Sequence, residues 1–141
     1  MAFSQYFATQ VLGWVRGQAF PGALTSVYVT LHSSDPGTAG TTGDVTQTIT
    51  GSSSRTGISN ANLTSQVTAA SGGGYEIKNT SVVQLTTSAQ NQSPITVTHF
   101  GVWDGATGGN FLASGQLTTS VDVEVGDTVQ FNIGALAVRV I

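Results

Sequence analysis

The chain contains no cysteine. This absence excludes disulfide bridges, a thiolate nucleophile and zinc sites with sulfur ligands. The fold must therefore be held by apolar packing, by hydrogen bonds within sheets and, we expect, by association with other subunits. At 141 residues, the chain has the usual length of one domain and can bury a core of ordinary size.

Charged residues are also scarce. They make up 8% of the chain, against roughly 25% in an average soluble domain. The net charge is -3, and the cations are Arg16, Arg55, Lys78 and Arg139. Because so few cations cannot form a basic stripe that neutralises phosphates, we expect no nucleic-acid partner.

Long apolar runs are missing too. No segment approaches the roughly 20 apolar residues that cross a bilayer, and the N-terminus has no basic region followed by a sustained apolar run. We therefore expect no membrane partner, and a protein that is made in the cytoplasm without a secretion signal.

The residues that are abundant indicate an all-β fold. Ser, Thr and Gly dominate, with Val and Ile scattered among them. Branched side chains pack well on a pleated sheet, and Gly permits the backbone angles that turns need. The solubility of such a chain must come from uncharged polar groups.

One helix is predicted at the N-terminus, over residues 4–17. Ser4 can cap it, and an apolar face recurs at steps of three and four residues: Phe3, Phe7, Val11 and Trp14. These four residues are the candidate partner-binding residues. The pattern leaves open whether they pack on the chain's own sandwich or on a partner subunit. We expect a helix or arm over residues 1–20 and one β-sandwich domain over residues 21–141.

Alternating apolar and polar residues predict strands along the rest of the chain. Residues 27–31 predict a half-buried strand, with Tyr28, Thr30 and His32 on its polar face. Residues 95–103 predict a central strand because both faces are apolar near its end, with residues 95, 97, 99, 101 and 103 on one face. Further strands are predicted at residues 75–77, 82–85, 111–117, 121–125, 129–133 and 136–140. Their spacing favours an antiparallel β-sandwich of jelly-roll type.

Turns are predicted where Asp, Pro and Gly cluster between these strands, since those residues suit tight turns. The candidate structural turn residues are Asp35, Pro36, Asp104, Gly108, Gly109, Gly126 and Asp127. Residues 91–94 predict another turn. Residues 38–74 are rich in Gly, Ser, Thr and Asn, with short apolar stretches at 45–49 and 63–67. That region is either loop with two or three short strands or the most mobile part of the domain.

The residues that could carry catalysis have simpler explanations. Residues 32–35 hold the residue types of a hydrolase triad, but neighbours on an extended chain point to opposite faces. Carboxylates could pair for glycoside hydrolysis, but Asp104 and Asp127 suit turns, and Asp122 and Glu124 suit the solvent face of a strand. We expect no enzyme.

Metal and cofactor sites are equally weak in the sequence. His32 and His99 are too few to hold a transition metal by themselves, and residues 104–110 lack the acid spacing of a calcium loop. Residues 105–109 lack the Lys and the following helix of a phosphate loop. We therefore expect no cofactor and no metal.

Three stretches, in this order and spacing, resemble a family of small structural proteins from the particles of tailed bacteriophages. They are a strand at residues 27–31 followed by HSSDPGTAG, then VTHFGVWDGATGGN at residues 97–110, and VGDTVQF at residues 125–131. Members are described as head decoration, minor structural or tail fibre-like proteins. The resemblance implies a β-sandwich that forms small symmetric oligomers, commonly trimers, on a capsid shell or on the tail.

The first functional hypothesis is a homotrimeric decoration protein that binds and stabilises the shell of major capsid protein. Repetition over the shell would supply avidity, and uncharged faces bind without the desolvation cost of buried charge. The alternative is a tail or tail-fibre component that contacts the host surface, with Trp103, Tyr75 and Tyr28 as stacking candidates for a glycan. The last alternative is a depolymerase that uses Asp104 or Asp127. The first two place the chain in the virion.

Overall fold

The computed structural model describes residues 3–87 and 94–140. The helix α1 (Gln5–Val15) comes first, and nine strands follow within the described part: β1 (Ser26–His32), β2 (Thr56–Ser59), β3 (Thr68–Ala69), β4 (Tyr75–Lys78), β5 (Val83–Thr86), β6 (Ile95–Trp103), β7 (Phe111–Val123), β8 (Thr128–Phe131) and β9 (Ala137–Val140). A five-residue helix, α2 (Thr46–Thr50), and a 3-10 turn (Asn60–Asn62) separate the early strands. Of the turn predicted at residues 91–94, all but Pro94 lies outside the described residues.

All strand pairs are antiparallel and form three sheets. The largest has the order β2-β1-β6-β7, the second has the order β3-β4-β9, and β5 pairs with β8. The predicted antiparallel β-sandwich with a short N-terminal helix is confirmed. The central position of β6, between β1 and β7, is confirmed as well.

One apolar core joins the sheets. Leu31 pairs with Phe100 and Val29 with Val102 across β1 and β6. The core-facing side of this sheet packs with residues of β5 and β8 and with the residue before β9: Val83, Leu85, Val129, Phe131 and Leu136. Burying a side chain of this size contributes about 1.5–3 kcal/mol. The core therefore fixes which face of β1 and β6 is left for other contacts.

The alternation predicted for β6 is broken by a shift in register against β7. Val97 pairs with Val121, but His99 pairs with Gln116, so β7 has extra residues at this point. Val97 and Phe100 are both buried in the core although they are three residues apart. The prediction that Val97 shares a face with Trp103 is therefore wrong. β7 continues through this bulge as one strand, whereas the sequence predicted two strands, at residues 111–117 and 121–125.

Helix α2 occupies the short apolar stretch at residues 45–49, in a region for which the sequence predicted either loop with two or three short strands or high mobility. Asp44 Oδ1 accepts a hydrogen bond from the amide of Thr46 at 2.9 Å, and Gly51 ends the helix with φ 71°. The Thr46 hydroxyl accepts the amide of Leu31 at 2.8 Å. This hydrogen bond satisfies the Leu31 amide in the part of β1 that no longer pairs with β2, because the last β1 residue paired with β2 is Val29.

The N-terminal helix is attached to the sandwich at its first turn. Ser4 Oγ accepts the amide of Phe7 at 2.9 Å, as the sequence predicts, and the Ser4 amide donates to the carbonyl of Leu112 in β7. The helix ends before Gly17, which has φ 97°. No helix in the described part of the chain is long and apolar enough to cross a membrane.

Candidate interaction site

The outer face of the largest sheet, on the side away from the core, carries an unusual buried polar cluster. Thr30 and His32 were predicted on the polar face of a half-buried strand, but their exposed fractions are 1% and 0%. Their cross-strand partners on β6 are Gly101 and His99. The prediction of a half-buried strand is therefore wrong at this end of β1, which is buried on both faces.

Four groups form a directed chain of hydrogen bonds in this cluster, which we call the Trp103 network (Trp103, Thr30, His32 and the Thr42 carbonyl). His32 Nδ1 lies 2.8 Å from the Thr42 carbonyl oxygen, which can only accept, so Nδ1 carries the proton. In the neutral ring, Nε2 then accepts from Thr30 Oγ1 at 2.8 Å. Thr30 Oγ1 in turn accepts the indole N–H of Trp103 at 3.1 Å. Every polar group in the network is satisfied.

The neutral state of His32 is supported by its surroundings. Desolvation by burial lowers the pKa of His32, and this effect outweighs the hydrogen bond to the Thr42 carbonyl and the nearby carboxylates of Asp44 and Asp35, which raise it. His99 lies on the neighbouring strand and lowers the pKa further. A neutral imidazole is the form that the network's hydrogen bonds require.

Arg55 connects the network to the turn between β6 and β7. Its guanidinium carbon lies 3.9 Å from the centre of the Trp103 ring, which is a cation–π contact. The same side chain donates from Nη1 to the carbonyls of Gly105 and Gly108, at 2.8 Å and 2.7 Å. Desolvation lowers the pKa of Arg55, but a guanidinium remains charged. One cation therefore orients both the indole ring and the turn.

The turn also carries the predicted residues Asp104, Gly108 and Gly109. Asp104 Oδ1 accepts the Asn110 amide at 2.6 Å, and Oδ2 accepts the Asn110 side-chain N–H at 2.9 Å. Gly108 and Gly109 have φ 58° and 73°, and a Cβ at Gly109 would lie 2.5 Å from Asp104 Oδ1. The turn thus leaves no room for a side chain at Gly109.

The other predicted turn residues lie in turns of the same chemistry. Asp35 Oδ1 accepts the amide of Gly37 at 2.9 Å, and the Pro36 carbonyl accepts the amide of Thr42. Asp127 Oδ2 accepts the amide of Glu124 at 2.9 Å, and Gly126 has φ 86°. These carboxylates bond local backbone groups.

Beside the Trp103 network lies a depression of about 430 Å³ between α1, the loop after β1 and the β6–β7 turn. Its walls are made of Gln5, Tyr6, Thr9, Gln10, Thr38, Ala39, Trp103, Gly109, Asn110 and Phe111. All of these described residues are uncharged. We call this feature the polar depression.

The candidate partner-binding residues lie on the other side of α1 and divide into two groups. Phe3 forms a bridge with Ala113 of β7, and its ring is 4.7 Å from that of Phe7. Both rings are half-buried, as is Val11. Trp14 is 61% exposed. The first half of the helix thus packs on its own sandwich, while its end presents apolar side chains to solvent.

Phe3 and Phe7 line an apolar groove that separates α1 and the largest sheet from the β3-β4-β9 sheet. Its volume is about 280 Å³, and Tyr75, a predicted stacking candidate, lies in its wall with 62% of its surface exposed. Of the other two stacking candidates, Trp103 lies in the polar depression, and Tyr28 covers Gly57 on β2. The three rings therefore do not form one site.

Two further groups of titratable residues lie outside the Trp103 network and the β6–β7 turn. Glu76 is bound by Lys78 and Arg139, each at 2.8 Å, and these hydrogen bonds lower the pKa of Glu76. Asp122 accepts from Thr96 across the strands at 2.6 Å. Within residues 3–87 and 94–140, no three acidic or histidine side chains are grouped as metal ligands.

The chain matches a known protein family over almost its whole length. Residues 2–139 match the family described as podophage GP4 fiber I protein gp80. The chain belongs to this family. It is therefore a structural protein of a phage virion, and the predicted resemblance to such proteins is confirmed. No curated protein is detectably similar to the chain.

Proposed function

We propose that this chain is a building subunit of a podophage tail fibre and that it acts by binding rather than by catalysis. The observation that carries the proposal is the family match, which spans residues 2–139 and bears the description of a fibre protein. From the sequence, decoration of the capsid is the first hypothesis and a tail fibre the second. The family description favours the second hypothesis.

The surface of the described residues supports a role in assembly. Large apolar side chains stand exposed at the end of α1 and just after it, and we call this the helix-end patch: Leu12, Trp14, Val15, Phe20 and Leu24. Large apolar side chains that are exposed so close together in the sequence are candidates for protein contacts. A fibre subunit needs such contacts, because it must bind its neighbours along the fibre.

The absence of catalysis belongs to the same proposal. The carboxylates proposed for a depolymerase, Asp104 and Asp127, are each engaged by backbone amides of their own turns. A general acid or base must instead reach the substrate. The predicted homotrimer and the predicted contact with major capsid protein stay predictions.

The position in the particle is tested by labelling intact virions with gold-conjugated antibody raised against the folded chain. We expect label on fibres around the tail. Label spread evenly over the capsid shell would overturn the proposal in favour of decoration.

The role of the helix-end patch is tested by Trp14→Ser in the phage genome, with Ile133→Ser as the matched control. Both residues are exposed, at 61% and 67%, so neither change creates a cavity in the core. We expect purified Trp14→Ser particles to carry at most a tenth of the normal fibre label and Ile133→Ser particles to keep it. Equal labelling would show that the patch is not an assembly contact.

A further inference from the structure

The polar depression combines fixed aromatic surface with uncharged hydrogen-bonding groups, and it is distinct from the helix-end patch. Its volume of about 430 Å³ falls in the range of about 300–1,000 Å³ that small-ligand sites occupy. One wall is the polar side of α1, formed by Gln5, Tyr6, Thr9 and Gln10; the opposite wall is Trp103 and Asn110.

Several hydrogen-bonding groups in the walls are available to a ligand. Within the residues that the structure describes, the side chains of Gln5, Tyr6 and Gln10 bond to no other protein group. Thr9 Oγ1 donates to the Gln5 carbonyl at 2.8 Å and can still accept. Asn110 uses its N–H toward Asp104, which leaves its amide oxygen as an acceptor. The depression therefore offers both donors and acceptors.

The walls are held in place before any ligand arrives. The Gln5 amide donates to the Thr38 carbonyl at 3.2 Å, which ties α1 to the loop after β1. The Trp103 ring is fixed by Thr30 at its N–H and by Arg55 on its face. Little conformational entropy remains to be lost on binding, and this favours affinity.

The chemistry of the walls selects a class of ligand. The lining residues are uncharged, and the nearby Arg55 guanidinium already donates to the carbonyls of Gly105 and Gly108, so no lining side chain offers an ion pair to a phosphate or carboxylate group. An apolar peptide would find its complement in the apolar groove or the helix-end patch rather than among amides and hydroxyls. A sugar ring has both an apolar C–H face for an aromatic surface and several hydroxyls for amides.

We propose that the polar depression binds a neutral saccharide, with Tyr6 and the part of Trp103 that Arg55 leaves open as its aromatic surface and Gln5, Gln10 and Asn110 as its hydrogen-bonding groups. The inference rests on the proposed place in a tail fibre, for which the sequence suggested a glycan of the host surface as the partner. Binding of the isolated chain to a sugar in solution does not depend on that place. The two proposals can therefore fail separately.

The test is a titration of the ¹⁵N-labelled full chain, followed by amide chemical shifts. The probes are the methyl glycosides of glucose, galactose, mannose and rhamnose, then maltose, cellobiose and lactose, with N-acetylneuraminic acid as the anionic comparison. We expect at least one neutral sugar to shift the amides of Tyr6, Gln10 and Asn110 with a millimolar Kd, about 1–10 mM. We expect no such shifts with the anionic sugar.

Gln10→Ala is the test variant and Gln66→Ala the control. Alanine favours a helix, so the fold of α1 is retained in Gln10→Ala; Gln66 is exposed and distant from the depression's walls. We expect Gln10→Ala to weaken binding about fivefold or more, the effect of losing one hydrogen bond, and Gln66→Ala to leave it unchanged.

Three outcomes would overturn the inference. No shift at these amides with any neutral sugar at about 50 mM would exclude affinity of the expected order. Equal Kd values for Gln10→Ala and the unchanged chain would place binding elsewhere. Broadening of the same amides on addition of the unlabelled chain, without any effect of sugars, would make the depression a protein contact.

Discussion

The hydroxyl of Thr30 and the imidazole of His32 lie 2.8 Å apart in the interior of the protein, and the hydrogen bond between them has only one favourable direction. The Thr42 carbonyl holds the proton on His32 Nδ1, so Nε2 must accept. Reversing that bond requires a second proton on the ring. The stability of the protein should therefore depend on the protonation of His32.

We expect the free energy of unfolding to fall as the pH drops below about 6.5, the ordinary pKa of histidine. Because the pKa of His32 is lowered in the folded protein, the unfolded chain binds a proton at a pH where the folded chain does not. Each unit of lowering corresponds to about 1.4 kcal/mol. The stabilisation is fully present at pH values above the pKa of His32 in the unfolded chain. It is lost progressively as the pH falls toward the lower pKa of His32 in the folded protein.

Urea unfolding at about pH 7.5 and about pH 5.5 measures this loss. Working above about pH 5 keeps Glu76, with its own lowered pKa, ionised in both states. His32→Asn should remove most of the pH dependence over this interval, and His99→Asn should remove a smaller part of it, because His99 contributes only part of the lowering of the His32 pKa. An unchanged slope in His32→Asn would assign the pH dependence to another group.

Thr30→Val tests the hydroxyl that joins Trp103 to His32. The substitution preserves the shape of the side chain but leaves the indole N–H without its acceptor and His32 Nε2 without its donor. We expect a loss of about 2–4 kcal/mol, since each unsatisfied buried group costs about 1–3 kcal/mol. Denaturant unfolding measures the loss.

Thr96→Val is the control for Thr30→Val. It removes an exposed hydroxyl that also makes a side-chain hydrogen bond, to Asp122 on the neighbouring strand. Water can replace that partner, so we expect a change below about 1 kcal/mol. Similar losses of unfolding free energy in the two variants would show that burial of the Trp103 network does not contribute to stability.

Gly101→Ala tests how closely the network packs on β6. A Cβ at Gly101 would lie 2.4 Å from Thr30 Oγ1 and 3.2 Å from His32 Nε2. We expect a loss of about 1–3 kcal/mol from overpacking and a drop in the melting temperature. Gly22→Ala, which meets no atom within 4 Å, should leave the melting temperature within about 2 °C of the original. An unaffected Gly101→Ala protein would contradict the packing described here.

Arg55→Lys tests the link between Trp103 and the β6–β7 turn. Lysine keeps the charge but cannot reproduce the planar group that stacks on the indole while bonding the carbonyls of Gly105 and Gly108. We expect faster hydrogen exchange of the amides at residues 105–110 and a loss of about 1–2 kcal/mol. Arg16→Lys, at the exposed end of α1, should change neither quantity; exchange rates that stay the same in Arg55→Lys would refute the link.

Sequence patterns predicted the features that repeat locally. The capped helix at residues 4–17, the strands at β1 and β6 and the turns at Asp35, Asp104 and Asp127 follow from short-range rules, and they lie where predicted. The helix at Thr46–Thr50 was not predicted. Asp44 lies at its start and Gly51 at its end, but its position depends on the hydrogen bond between Thr46 and Leu31, which are fifteen residues apart.

The candidate site depended on contacts that periodicity cannot reveal. Thr30 and His32 have the spacing of a solvent-facing pair, but both are buried, and they are contacted by Trp103 of β6 and by the loop that supplies the Thr42 carbonyl. Arg55 and the turn it binds are about fifty residues apart. The one usable signal was local: a glycine at position 101, in the middle of a strand, indicates close approach of another group.

Arg55 binds the β6–β7 turn through three main-chain oxygens: its guanidinium donates to the carbonyls of Gly105 and Gly108, and its amide donates to the carbonyl of Ala106. The identities of Ala106 and Thr107 are thus left unconstrained by this clamp, whereas the path of the backbone is constrained. Diversified libraries that vary these two positions at constant length should retain a native hairpin, and those that insert or delete a residue should lose it. The turn is therefore a place where natural variants or engineers can alter surface chemistry without rebuilding the scaffold.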